Sequence, residues 1–216
     1  MSGTLPINDF TQAVVTSNTP TMITTAVSGL RQAKQVATQF WTLEVEFRPL
    51  SFSEAKTVQG FLAKQRGSLY DFAVVIPRVS YASGGIKAVK AANPGVSSTM
   101  TTTTSYAIGA NTISVNTNYT GSQYTAAGAT TILQAGDYIR FAGHSKVYQV
   151  VDDVSFDSGG DGNVTIFPSL VAAVTSGEAI TYDAVPFQVF NSQATQDTTF
   201  TVGDEVSMSL KLQEAL

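Results

Sequence analysis

The chain contains no cysteine and a single histidine, His144. Disulfides and thiolate metal sites are therefore excluded, and no second imidazole exists to complete a zinc centre. Charge is scarce too: 13% of the 216 residues are charged, about half the usual share. The 12 basic residues are scattered and outnumbered by 16 acidic ones, for a net charge of −4. Reading a phosphate backbone needs clustered Lys and Arg, so no sequence-specific nucleic acid partner is expected. Long apolar runs are missing. Stretches such as Phe72 to Pro77 fall far short of the ~20 residues that a spanning helix needs, so no membrane insertion is expected. The opening MSGTLPINDF lacks the basic start and apolar core of a signal peptide. The sequons at Asn118 and Asn163 therefore have no secretory context and are read as chance.

What is present is β-forming pattern. In WTLEVEFRPL, Trp41, Leu43, Val45 and Phe47 alternate with Thr42, Glu44, Glu46 and Arg48. Period-two alternation predicts a half-buried strand, ended by Pro49. Ser51 and Glu54 then have capping-box spacing, and Ala55, Val58, Phe61 and Leu62 recur on one helical face. Lys64 and Arg66 suit the last turn and Gly67 the stop, which predicts a helix over about 53–66. An apolar strand, Tyr70 to Pro77, follows. Near the other end, Pro186 to Phe190 and Asp197 to Leu212 read as closing strands. Val206, Met208, Leu210 and Leu212 alternate there as the residues after Trp41 do, so both strands are expected in one sheet.

Between these ends the texture changes. Residues 79–129 are rich in Gly, Ser, Thr and Ala, including MTTTT at Met100 to Thr104, and read as an exposed excursion with short β pieces. Gly136 to Leu170 then carries two hairpin signals. One turns at Gly143-His144-Ser145. In the other, Val154 and Phe156 lead into DSGGDGN and Val164 to Phe167 return, ending at Pro168. The expected architecture is mainly β: a host domain of residues 1–84 and 183–216 with one α-helix, interrupted by an inserted, barrel-like β module over 85–182.

Candidate chemistry is thin. His144, in a Gly-His-Ser turn, reads as an exposed turn residue. Asp152, Asp153, Asp157 and Asp161 lack the spacing of a calcium loop and read as hairpin punctuation. Gly159, Gly160 and Gly162 precede a strand former, whereas a phosphate cradle needs a helix N-terminus. No catalytic, cofactor-binding or metal-ligating residue is assigned, no cofactor is implied, and no enzyme is expected.

The order of elements resembles the distal-tail or baseplate-type tail proteins of tailed phages. The resemblance is carried by Trp41-x-Leu43, Phe47-x-Pro49-Leu50, Gly60-Phe61-Leu62-Ala63, Arg66-Gly67 and Phe72. Further on it rests on Ala135-Gly136-Asp137-Tyr138, Lys146 to Val150, Ile166 to Leu170, Gly177 and the closing Glu214-Ala215-Leu216. Ser169 interrupts the Pro-Leu step of such segments, and 88–130 matches nothing in the family. The resemblance implies a tail-tube-like β-sandwich and a non-enzymatic virion component at the tail tip. It implies a homo-oligomeric ring, commonly a hexamer, joining the tail-tube protein to the hub or baseplate and to receptor-binding proteins. A tube subunit or other baseplate subunit is the near alternative. A carbohydrate-binding module using Tyr119, Tyr124 and Tyr138 is an alternative of another class.

Overall fold

The computed structural model describes residues 3–96, 99–128, 131–193, 198–200 and 205–216. The chain is mainly β. In order it forms β1 (Phe10–Asn18), β2 (Thr21–Thr25), β3 (Arg31–Gln35), β4 (Phe40–Phe47), β5 (Leu50–Ser51), α1 (Phe52–Lys64) and β6 (Phe72–Val74). Then come α2 (Ile86–Ala92), β7 (Met100–Thr102), β8 (Thr112–Thr117), α3 (Gly121–Ala126), β9 (Tyr138–Phe141), β10 (Tyr148–Val150) and β11 (Asp161–Phe167). The last strands are β12 (Ile180–Thr181), β13 (Phe187–Asn191), β14 (Thr198–Phe200) and β15 (Glu205–Glu214). Two compact units result: Val75–Phe187, and the segments that flank it, through Val74 and from Gln188. The division falls at 74/75 and 187/188 rather than at the 84/85 and 182/183 drawn from sequence. The reason is local: Ala82 donates its amide to the Tyr182 carbonyl and Val185 to that of Ser80, so 76–84 belongs with the middle unit.

The outer unit is built on the sheet β1-β4-β15-β13-β6. β15 is long enough to serve two sets of neighbours, pairing β5 and β14 with its first half and β4 and β13 with its second. The two alternating strands foreseen from sequence lie side by side, with Leu43 opposite Leu212 and Val45 opposite Leu210. These four side chains, together with Trp41, Phe47, Val206 and Met208, are buried, and Ala55, Val58 and Leu62 of α1 are buried with them. Each large side chain so buried is worth roughly 1.5–3 kcal/mol before entropy is counted. The strand after the helix is shorter than the Tyr70–Pro77 run suggested, because pairing covers only Phe72–Val74. Residues 197 and 201–204 of the closing strand lie outside the described residues.

The middle unit is a six-stranded sheet, β12-β9-β10-β11-β8-β7. It nearly closes on itself: Thr101 bridges Ala179, the Thr102 amide donates to the Glu178 carbonyl, and the Gly177 amide to that of Thr102. The interior holds Ile113, Val115, Ile139, Phe141, Tyr148, Val150, Val164 and Ile166. Two expectations are corrected here. The 79–129 stretch is not an exposed excursion: it supplies α2, β7, β8 and α3, and buries Val89, Met100, Tyr119 and Tyr124. Among the described residues there are thus three helices rather than one. Nor does 154–156 form the partner of β11, whose ladder neighbours are β8 and β10. The DSGGDGN turn is tighter than it reads, because the Asp157 carboxylate accepts the amides of Gly159 and Asp161 and starts the strand at Asp161. Gly160 is required there: its φ is +84°, and a Cβ would come within 2.5 Å of the Tyr119 carbonyl oxygen.

Ser51 and Glu54 form the capping box read from sequence. The Glu54 carboxylate accepts from the Ser51 amide and from the Arg48 guanidinium, which together hold its pKa at about 2 against an ordinary 4.5. A folded value below the unfolded one stabilises the fold above pH 4.5, and that contribution is lost as pH falls through about 2. The urea midpoints of the wild type and Glu54→Gln should therefore differ most above pH 4.5 and converge toward pH 2. A constant difference across that window would refute the linkage. Ser51→Ala should cost about 1 kcal/mol in the same assay.

Candidate interaction surface

The sequence-flagged residues of the middle unit serve its architecture. His144 is buried, not exposed as its turn suggested. The Ala173 carbonyl, 3.2 Å from Nε2, can only accept, so Nε2 carries the proton. Nδ1 lies 3.0 Å from the Tyr148 hydroxyl in a second hydrogen bond, and that hydroxyl accepts the Val171 amide. The relay pins the β9–β10 turn to residues 171–173. The side-chain spacing in sequence gave no sign of it.

Three of the four aspartates are engaged by backbone or side-chain amides within the unit. Asp153 accepts the Ala135 amide, Asp157 the amides named above, and Asp161 the Asn116 side-chain amide. Among the described residues no three or more His, Asp or Glu stand together as a metal site. Gly159 and Gly160 open onto β11, and the amide of Gly121, the first residue of α3, is spent on the Ser158 carbonyl beside them. The three tyrosines do not make an exposed platform. Tyr119 and Tyr124 are buried, with Tyr124 stacked on Phe156, and Tyr138 is half-buried with its ring edge-to-face on Phe187.

The features that face outward lie in the outer unit, in residues that drew no comment from sequence. β1 and β4 make one long hairpin, with Val14 opposite Glu44 and Asn18 opposite Phe40. Beyond Asn18 the hairpin continues as β2 and β3, which among the described residues pair only with each other and whose residues are all exposed. Of 14 exposed large apolar side chains among the described residues, five sit on this arm: Met22, Ile23, Val27, Leu30 and Val36. That concentration makes the arm a candidate contact surface, whereas the scattered remainder is ordinary. An isolated two-stranded ribbon is also marginal in water.

Two more elements of the surface adjoin the arm. β1 ends the sheet and carries nine residues with no strand on its outer side among the described residues. Such an edge is an open template for pairing. At the other edge, residues 3–5 partly cover β6, through a Thr4–Ala73 bridge and the Leu5 amide on the Ala73 carbonyl. On the outward face of β1, β4 and β15 lies a shallow groove of about 170 Å³, lined by Gln12, Val14, Glu44, Glu46, Ser209 and Lys211. Lys211 and Glu44 pair across it at 2.9 Å.

No protein-family model matches the chain, and no curated protein is significantly similar to it. No helix among the described residues is long and apolar enough to cross a membrane.

The His144 relay gives a test of the structural role. Tyr148→Phe leaves the His144 Nδ1 and the Val171 amide without their partner and should destabilise the protein by about 1–3 kcal/mol in urea unfolding. A loss below about 0.5 kcal/mol, the range of an ordinary surface change, would remove the relay from the architecture.

Proposed function

We propose that the protein is a structural component of a tailed-phage virion. It forms a ring at the distal end of the tail that joins the tail tube to the hub or baseplate and to receptor-binding proteins. The observation that carries this reading is the β1 edge, unpartnered among the described residues, and the arm that prolongs it, an exposed ribbon bearing five large apolar side chains. Covering the arm and the edge with another copy removes both liabilities at once, and a surface of this kind repeated around an axis closes a ring. The order of elements that resembles distal-tail proteins supports the same reading. So does the composition. A ring through which nucleic acid passes must not hold phosphate, and a chain with 16 acidic and 12 basic residues suits that role. The middle unit, with its sheet nearly closed, is the outward docking module in this reading.

Mass photometry and negative-stain images of the purified protein test it directly. Closed rings of one size are expected. Long tubes would instead make the chain a tube subunit, and a monomer at every concentration would sink the reading.

A further inference from the structure

The arm and the outward face of its own sheet differ in charge in a way that suits one to the other. Residues 10–43 contain Arg31 and Lys34 and no acidic residue. The remaining chain holds 10 basic and 16 acidic residues, which is 10 − 16 = −6. Neither Arg31 nor Lys34 has an ion-pair partner among the described residues, and both are exposed. In the groove, Lys211 neutralises Glu44, which leaves Glu46 as the carboxylate without a cation among the described residues. Gln12 stands opposite Glu46, and Val14, opposite Glu44 in the same groove, is 42% exposed.

The ribbon presents two faces. One holds Ile23 and Ala33 with Arg31, and the other Met22 and Thr24 with Lys34, since Ile23 pairs with Ala33 and Met22 with Lys34. Each face thus combines apolar surface with one cation. The groove offers the complement, an exposed valine and, two residues along β4 from its partner Glu44, a carboxylate without a cation among the described residues. Among the described residues the arm pairs with none of the strands that line the groove, and it prolongs the β1–β4 hairpin beyond Asn18, which leaves the groove for the arm of a different molecule.

We propose that the β2–β3 arm of one copy lies in the β1–β4–β15 groove of a second copy and sets an arm cation against Glu46. This rests on the reading of the protein as a multi-copy ring and names the surfaces that join its members. Donor and acceptor are different patches of the chain, so the contact is heterologous and propagates around an axis. The apolar residues provide adhesion, and the charge pair fixes register and partner.

The test is a charge swap read by sedimentation velocity and mass photometry on the full chain, with circular dichroism to verify folding. Arg31→Glu with Lys34→Glu should weaken association about tenfold or more, because like charges then meet at Glu46. Glu46→Lys alone should weaken it similarly. Combining Glu46→Lys with the two arm reversals should restore assembly, and raising salt should weaken both the wild type and the swapped protein. If the wild type forms rings and the arm reversals leave them intact, the proposal is overturned while the ring reading stands. The arm then serves a different protein. If the arm reversals abolish rings and Glu46→Lys neither disrupts nor rescues, the groove is the wrong acceptor and the proposal again fails. A wild type that stays monomeric fails the ring reading itself.

Discussion

The pairing of β4 with β15 is the constraint on which the rest depends. It joins residues near opposite ends of the chain, and its core face is made of the two period-two rows that meet at Leu43 and Leu212 and at Val45 and Leu210. The Glu214 carboxylate adds a bond to the Trp41 amide, across 173 residues of sequence. Everything between must leave this sheet and return to it. A long excursion adds little to the entropy of closing such a loop, since the cost grows only with the logarithm of length. Inserting a whole second unit is therefore thermodynamically mild, provided that the unit holds itself together.

It does. The middle unit has its own buried interior and its own nearly closed sheet, in which β7 runs beside the residues that enter β12. Closure removes the strand edges through which another chain could add. The outer unit did not take that solution. Its sheet stays open at β1, and the hairpin that supplies β1 continues past the sheet as an exposed ribbon. The two units thus divide the labour of the chain by how each treats its edges. One is self-sufficient, and the other is left with surface to cover.

Sequence was legible wherever a local signal coincided with burial. Trp41 to Phe47 and Val206 to Leu212 alternate because one face of each strand meets a core, and Ser51 with Glu54 announces a helix by chemistry confined to one turn. It was illegible where the deciding contact is remote or the segment lacks an inside. Met22 to Lys34 shows no alternation, since both faces of the ribbon see solvent and nothing selects apolar residues for one of them. His144 reads as a turn residue because its partner Tyr148 meets it only across a folded hairpin, with Ala173 supplied from a third segment. The 79–129 stretch was misread because small residues look like surface. Most of its large side chains, among them Ile86, Val89, Met100, Ile113, Val115, Tyr119 and Tyr124, are buried, while Tyr81 and Ile108 are exposed. Ile86 and Val89 at helical spacing were the missed sign of α2.

Scarce charge gains meaning once the exposed ribbon is known. In a charge-rich protein, two cations on a hairpin would find partners on any neighbouring surface, and their position would specify little. Here Arg31 and Lys34 stand in a run of residues free of acid, and the groove retains one carboxylate after Lys211 has taken the other. Few charges mean few wrong pairings. Exposed ion pairs add little affinity at physiological salt, so in the proposed contact adhesion would come from Met22, Ile23, Val27, Leu30 and Val36. Apolar contact alone, however, is tolerant of sliding. A single cation-to-carboxylate match distinguishes one register from its neighbours without strengthening the rest, which is what a subunit needs if repeated contacts are to close on themselves rather than drift.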